Sequence, residues 1–164
     1  MQQNPLLKTK LHIPPTRREL VPRLRLIEWL NTGLDRKLIL ISAPAGFGKT
    51  TLLSEWVQAM GGSTPPIAIA WLSLDERDND PGRFLVYLVA ALQTIDKSLG
   101  HAAMAVLQSP GMVNIETVLI SLLNEVTELP YQVLLVLDDY HVVESQPVDK
   151  AITFLLKHLP SQSH

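Results

Sequence analysis

A glycine-rich turn that ends in a lysine and a hydroxyl residue is the part of this sequence best suited to chemistry. The segment APAGFGKT, which begins at Ala43, follows the pattern G-x-x-x-x-G-K-[ST] except for alanine at the first glycine. Gly46 and Gly48 allow the backbone to aim its N–H groups inward at a phosphate. Lys49 would then reach the β- and γ-phosphates of a nucleotide, and the Thr50 hydroxyl would bind Mg²⁺.

Two further residues of this segment complete the predicted nucleotide site. Phe47 lies within the turn, and Thr51 follows it at a point where its hydroxyl can bond the α-phosphate. The helix expected to begin here would direct its positive N-terminal end at the same place. The segment therefore predicts a site for ATP and Mg²⁺. The alternative is a glycine turn between a strand and a helix, with an incidental lysine.

A pair of carboxylates at the end of an apolar run is the second chemical signal. Asp138 and Asp139 directly follow the run Val133–Leu137. A carboxylate at the C-terminal end of a buried parallel strand lies on the rim where α/β sheets bind ligands. We expect Asp138 to hold Mg²⁺ through water, and Asp139 to act with Lys49 in catalysis by orienting the attacking water. The alternatives are a strand that only begins a turn and a nucleotide switch that barely hydrolyses ATP.

Apolar runs and helical periodicities supply the elements that must position these residues. Three continuous apolar runs predict buried strands, over Leu38–Ala43, Ile67–Leu74 and Val133–Leu137. Helical spacing of apolar residues predicts helices over 24–34, 50–60, 80–95, 115–129 and 148–159. Asp80 should cap one of them, with Pro81 at its first position. Because parallel strands need crossover helices, this order predicts an α/β fold with a parallel sheet flanked by helices.

Composition limits the classes of protein to which the chain can belong. It has 164 residues, of which 46% are hydrophobic and 18% charged, and this proportion suits a folded domain. The net charge is -2, and no basic face suited to nucleic acid stands out in the sequence. The absence of cysteine excludes disulfides and thiolate metal sites. The apolar run Leu85–Leu92 is far too short to span a membrane, and residues 1–10 lack the apolar core of a signal peptide, so we expect a cytoplasmic protein.

Several short segments, taken together, are typical of one family. In chain order they read APAGFGKTT at 43–51, WLSLD at 71–75, DNDP at 78–81 and LDDYH at 137–141. With them the chain resembles the ATPase module of large LuxR-type bacterial transcription activators similar to the maltotriose-responsive activator of maltose genes. These activators belong to the STAND class of signal-transducing P-loop ATPases. The segments KLHIP at 10–14 and LVPR at 20–23 match the same group, so the resemblance covers essentially the whole chain.

The resemblance carries implications for the fold and the site. It implies an NB-ARC-like P-loop NTPase domain over residues 23–164, and the prolines of residues 1–22 predict an extended segment before it. It implies that Val21 and Arg23 lie along the adenine of the nucleotide; a proline-bounded helix start with a solvated arginine is the alternative. It also implies a further strand, outside this chain, between the phosphate-loop strand and the strand that carries the carboxylates. We therefore expect an incomplete domain with little ATPase activity by itself.

The resemblance also implies partners, and the residues leave two other classes of protein open. The family's regulators bind DNA through a helix-turn-helix and an inducer, a small molecule or a protein, through a helical sensor; neither lies within this chain. ATP-driven self-association is a further expectation. A P-loop kinase or other phosphotransferase is an alternative class, although residues 97–131 lack the arginines that its substrate lid would need. An inactive interaction fragment is the other alternative.

Weaker candidates surround these motifs. The acidic stretch Asp75–Asp80 is expected to be a solvated loop that caps the next helix, with a metal or partner site as the alternative. Arg83 either reaches a phosphate or pairs with Asp80, and His141 is a candidate for facing the γ-phosphate. The tryptophans at 29, 56 and 71 are expected to fill core contacts.

Overall fold

Helices and a small parallel sheet make up the fold. The computed structural model describes residues 5–16, 23–62 and 66–159. Within these ranges the main elements are α1 (Leu24–Asn31), α2 (Lys49–Ala59), β1 (Ile67–Ser73), α3 (Pro81–Leu92), α4 (His101–Gln108), α5 (Ile115–Thr127), β2 (Gln132–Asp138) and α6 (Gln146–His158). Short 3-10 helices cover Lys8–Leu11, Glu76–Asn79 and Tyr140–Val142. The predicted α/β class is confirmed.

The two strands lie side by side and run parallel, as the apolar runs predicted. Their register pairs Ile67 with Gln132 at one end and Ser73 with Asp138 at the other. The Leu74 amide continues the pairing by donating to the carbonyl oxygen of Asp138 at 3.0 Å. The carboxyl ends of β1 and β2 therefore meet at one edge of the sheet, and Asp138 lies at that edge.

Alternation of side chains along β1 divides the core into two layers. Ala70 and Leu72 are fully buried in the cluster formed with α3, α4, α5 and α6. Trp71, one residue along, packs with Val57 of α2 and Val136 of β2. The sheet therefore has α2 on one face and the four later helices on the other, which is the layered arrangement of α/β proteins.

The segment Leu38–Ala43 corrects the prediction of a third buried strand. In the described part of the chain the sheet consists of β1 and β2 alone, and this segment is not assigned as a strand. A strand forms only where a neighbour completes its hydrogen-bond ladder, and no described strand pairs with this segment. Ile39 and Ile41 still pack on α1 and α2, whereas Leu38 and Leu40 are 57% and 73% exposed. The segment is therefore buried on the side of Ile39 and Ile41 and exposed on the side of Leu38 and Leu40.

Local signals determine where the helices begin. Asp80 caps α3 by accepting a hydrogen bond from the Arg83 amide at 2.7 Å, and Pro81 occupies the first turn, as predicted.

The helix α4 was not predicted from the sequence. Three of its eight residues are alanines, so its apolar face is only weakly marked. No helix in the described ranges is long and apolar enough to cross a membrane.

The three tryptophans do not all lie in the core. Trp56 and Trp71 are buried as predicted, but Trp29 is 64% exposed, so its predicted burial is wrong. Leu30 takes the buried side of α1, and a residue next to it on a helix points about 100° away. The spacing of apolar residues predicted the position of α1 but did not show which of its apolar residues face the solvent.

A charged cluster anchors the N-terminal stretch to the core. Lys10, which is 6% exposed, pairs with the fully buried Asp78 and with Asp75 at 2.9 Å. Arg83 brings a second cation within 3.3 Å of Asp78, and the Lys10 ammonium lies 4.5 Å from the centre of the Tyr87 ring. The acidic stretch thus caps α3 as predicted. Its expected solvation is wrong at Asp78, because two cations neutralise that carboxylate inside the protein.

Asp75 shows the electrostatic effect of this cluster. Partial burial acts to raise the pKa of Asp75, but hydrogen bonds from Lys10 and the Arg77 amide outweigh it, and the pKa is lowered. The folded state therefore favours the ionised carboxylate. The stabilisation that this provides is present above the ordinary pKa of 3.8 and is lost as the pH falls through the lower pKa of the folded state.

Replacing Lys10 tests the anchor. Lys10→Met keeps the length of the side chain but leaves buried Asp78 with Arg83 as its remaining cation. We expect the free energy of unfolding to fall by about 3 kcal/mol, near the lower end for breaking a buried ion pair. Chemical denaturation measures the loss, and Lys8→Met, an exposed lysine of the same 3-10 helix, is the control. Equal losses in the two variants would contradict the anchoring role.

Candidate functional site

The turn before α2 adopts the backbone shape that its glycines allow. Gly46 and Gly48 have φ angles of 83° and 75°, in the left-handed region that other residues disfavour. A Cβ at Gly48 would lie 2.7 Å from a guanidinium nitrogen of Arg23, the mobile end of a long side chain, so the positive φ rather than a lack of space favours glycine there. α2 begins at Lys49 without a side-chain cap. The first amides of a helix lack intrahelical partners, and together they form a site that favours an anion.

Lys49 adds a positive charge at the same turn. Its Nζ donates to the carbonyl oxygens of Ala43 at 2.6 Å and Pro44 at 3.2 Å. The ammonium group is therefore held against the backbone of the loop rather than extended into solvent. The lysine charge and the helix amides converge on one loop, an electrostatic environment suited to a phosphate group.

A hydrogen-bonded contact joins this loop to the sheet edge. The Thr50 hydroxyl lies 3.0 Å and 2.9 Å from the two carboxylate oxygens of Asp138. Asp138 is only 5% exposed. Burial raises the pKa of Asp138 above its ordinary value and the Asp139 charge acts in the same direction, whereas the hydrogen bond from Thr50 opposes both. The structure thus brings together two residues that the sequence placed in one site.

Asp139 lies at the start of the loop that leaves β2. It has a φ of 58°, the only left-handed non-glycine residue in the described part of the chain. Its amide donates to an Asp138 carboxylate oxygen at 3.0 Å, and its own carboxylate is 48% exposed. His141, 64% exposed, has its Nδ1 3.9 Å from that carboxylate. His141 therefore lies beside Asp139.

The predicted adenine segment is described only in part. Val21 lies outside the described residues. Arg23 directs its Nη1 toward the carbonyl oxygens of Phe47 at 3.5 Å and Gly48 at 3.4 Å, so it lies against the glycine turn. Phe47 is 66% exposed, and Thr51 is half-buried in the first turn of α2. Arg83, the other arginine considered, is engaged by Asp78 instead.

The donor set fits a hard cation that arrives with a phosphate ligand. Within the described residues no group of three acidic, histidine or cysteine side chains is arranged to hold a metal ion alone. Mg²⁺ takes oxygen ligands and usually binds through one or two carboxylates together with substrate phosphates and water. The Thr50 hydroxyl and the Asp138 carboxylate supply such oxygens next to the phosphate-like environment of the loop.

Sequence reasoning missed Asn79, which bridges the loops that follow β1 and β2. Its amide nitrogen donates to the Val142 carbonyl at 3.2 Å, and its oxygen accepts from the Glu144 amide at 2.7 Å. Asn79 belongs to the DNDP segment, in which Asp80 and Pro81 were predicted to start a helix but the asparagine had no predicted role. A turn asparagine normally bonds its own neighbourhood, so nothing in the pattern indicated a partner more than sixty residues away.

Comparison with known proteins gives the class of protein to which the chain is similar: helix-turn-helix transcriptional regulators of bacteria. The relatives are named HTH-type transcriptional regulator MalT. Those of Cronobacter sakazakii, Klebsiella pneumoniae and Yersinia enterocolitica are 36%, 34% and 34% identical to it. Each match covers 94% of this chain and 16% of the relative. No family model matches the chain. The resemblance to MalT-like regulators is confirmed, and the chain spans about one sixth of their length.

Removing the Thr50 hydroxyl tests the contact with Asp138. Thr50→Val deletes the hydrogen bond that lowers the pKa of Asp138 while burial continues to raise it. We therefore expect the pKa of Asp138 to rise further, measured by NMR titration of its carboxyl carbon. Thr51→Val, which deletes the neighbouring hydroxyl, is the control and should leave that pKa unchanged. An unchanged pKa in Thr50→Val would contradict the contact.

Proposed function

We propose that this chain is the ATP- and Mg²⁺-binding switch module of a MalT-like transcriptional regulator, which binds and slowly hydrolyses ATP in the cytoplasm to control activation of the regulator. The observation that carries the proposal is the contact between Thr50 and Asp138 at 2.9 Å, next to the lysine-bearing turn. Similarity to MalT regulators over 94% of the chain supports the regulatory setting.

The chain's own residues divide the work of binding. The glycine turn and the first amides of α2 receive phosphate oxygens, and Lys49 exchanges its carbonyl partners for the β- and γ-phosphates. The exchange replaces neutral carbonyl acceptors by anionic phosphate oxygens, so that the acceptor as well as the donor carries a charge. Thr51 contacts the α-phosphate, while Arg23, with Phe47 beside it and Val21 upstream, borders the adenine side.

Thr50 and Asp138 provide the oxygens for Mg²⁺. Mg²⁺, when bound, neutralises charge on the phosphates as a hard Lewis acid. Asp138 is held in place by Thr50 and by the Asp139 amide, so it is oriented before a cation arrives. Asp139, more exposed and one residue further along, accepts a proton from the attacking water or orients it.

The proposal extends to the longer regulator. DNA and a small-molecule or protein inducer would bind to parts of that protein beyond this chain, and ATP binding here would bias its self-association. Binding of ATP can shift such an equilibrium only by its difference in affinity for the two states. The present chain would supply the difference in ATP affinity between the two states.

Replacing Lys49 tests nucleotide binding. Lys49→Ala removes the main positive charge facing the phosphates, and a hydrogen bond from a charged group contributes about 1.5–3 kcal/mol. We expect the affinity for Mg-ATP to fall about tenfold to a hundredfold in calorimetric titration. The matched control is Lys37→Ala, which replaces an exposed lysine just before the segment Leu38–Ala43. Equal affinities in the Lys49 variant and the wild type would reject the assigned phosphate site.

The two carboxylates should respond differently to amide substitution. Asp139→Asn keeps Mg-ATP bound but slows hydrolysis by about a hundredfold or more, because only the water-directed role is lost. Asp138→Asn should instead raise the Mg²⁺ concentration needed for binding. Radiolabelled single-turnover hydrolysis and Mg²⁺ titrations separate the effects, with the exposed Asp35→Asn as the control. An unchanged rate of hydrolysis in Asp139→Asn would show that Asp139 has no catalytic role.

A further inference from the structure

A single side-chain amide clamps the loop that carries Asp139. Asn79 Nδ2 donates to the Val142 carbonyl at 3.2 Å, and its Oδ1 accepts from the Glu144 amide at 2.7 Å. The two backbone groups belong to residues i and i+2 of one chain. One residue of a neighbouring parallel strand would satisfy the same pair of groups with its own N–H and C=O. The Asn79 side chain therefore takes the place of a strand residue for the segment that follows the 3-10 helix Tyr140–Val142.

The clamp acts on a tight turn whose first residue is Asp139. The Val142 amide donates to the Asp139 carbonyl at 3.1 Å, so the group held by Asn79 belongs to the residue that closes this turn. At the other side, the Tyr140 hydroxyl donates to Asp149 of α6 at 2.6 Å. The turn that begins at Asp139 is thus hydrogen-bonded to α6 on one side and to the Asn79 side chain on the other.

Asp139 needs such support because of its backbone conformation. A left-handed φ of 58° is unfavourable for a residue with a side chain, although aspartate tolerates it better than most. Such a conformation persists where surrounding contacts determine it. Freed from those contacts, the residue would relax toward ordinary backbone angles, and its carboxylate would move relative to Asp138.

Asn79 is itself fixed by the buried cluster behind it. Its Nδ2 also donates to the Glu76 carbonyl at 2.9 Å. The same 3-10 turn is closed by a capping box, in which Asp75 accepts from the Arg77 amide and Asp78 accepts from the Asp75 amide. Asp78 is paired with Lys10 and Arg83 inside the protein. The clamp therefore rests on a rigid support, as a positioning group requires.

We infer that Asn79 is a positioning residue for ATP hydrolysis: it holds the turn after β2 so that Asp139 keeps its place beside Asp138. The inference rests on the proposed function. Asn79 lies outside the binding groups at the glycine turn, so its loss acts on turnover and leaves nucleotide affinity unchanged. Displacing a reacting group by about 1 Å can lower a rate by about a hundredfold.

The experiment compares Asn79→Ala with Asn124→Ala, an exposed asparagine of α5. Mg-ATP affinity is measured by calorimetry, and hydrolysis is measured with the chain in excess over radiolabelled ATP. We expect Asn79→Ala to lower the single-turnover rate about tenfold to a hundredfold at unchanged affinity, with no change in Asn124→Ala. Hydrogen exchange at the Glu144 amide should become faster in Asn79→Ala alone, because that amide loses its acceptor.

Two further variants separate positioning from general stability. Asn79→Asp keeps an oxygen for the Glu144 amide but turns a carboxylate oxygen toward the Val142 and Glu76 carbonyls that Nδ2 contacts in the wild type, so its rate should be at least as low as that of Asn79→Ala. In the background of Asp139→Asn, adding Asn79→Ala should cause no further loss, since the group being positioned is already disabled. A full additional loss there would overturn the inference.

The remaining outcomes distinguish this inference from the proposed function. A wild-type chain that does not bind Mg-ATP overturns the proposed function, and the inference falls with it. Because only slow hydrolysis is expected of this chain, single turnover is followed over a long incubation. Binding without any product over that time overturns the catalytic role of Asp139 and the positioning role together, but leaves nucleotide binding standing. Normal turnover in Asn79→Ala, or loss of affinity in parallel with rate, overturns the positioning role alone.

Discussion

The hydrogen-bonded contact between Thr50 and Asp138 is the interaction on which the site depends. It links the first turn of α2 to the last residue of β2, which are 88 positions apart in the chain. An ionised carboxylate that is 5% exposed is costly unless it is hydrogen-bonded, and Thr50 and the Asp139 amide provide those bonds. The contact thus gives the Asp138 carboxylate a hydrogen-bond donor, and it joins the residue that follows Lys49 to the residue that precedes Asp139.

Packing elsewhere makes this contact possible. α2 lies on the sheet through Val57, which packs with Trp71 and Val136, and this brings its N-terminal end to the carboxyl edge of the strands. The parallel register then sets Ser73 beside Asp138, so the turns that follow both strands lie together. The contact between Thr50 and Asp138 therefore forms although Leu38–Ala43, the segment leading into the glycine turn, is not assigned as a strand.

Much of this arrangement could be predicted from the sequence, because the signals are local. Apolar runs identified β1 and β2, and Asp80 with Pro81 marked the start of α3. The glycine spacing anticipated two left-handed residues, Gly46 and Gly48. What could not be predicted depends on distant partners. Burial of Asp78 requires Lys10, which lies 68 positions earlier.

The failed strand prediction and the missed asparagine share a physical cause. An apolar run records a preference for burial, but a strand also needs a neighbour for its backbone groups, and no run states which neighbour is present. In the same way, the turn composition around Asn79 indicated a cap without revealing that its amide would reach Val142 and Glu144. Local preferences were read correctly in both cases, and tertiary pairing decided the outcome.

The Lys49 turn and the Asp138 edge are proposed to form one site for a metal–nucleotide complex. Mn²⁺ takes the same carboxylate, hydroxyl and phosphate oxygens as Mg²⁺, and its unpaired electrons broaden the NMR signals of nearby nuclei. We predict that Mn-ATP added to the isotopically labelled chain broadens the amide signals of 46–51 and 138–140, and leaves those of α4 and α5 sharp. Broadening centred elsewhere, or none at saturating Mn-ATP, would contradict the account.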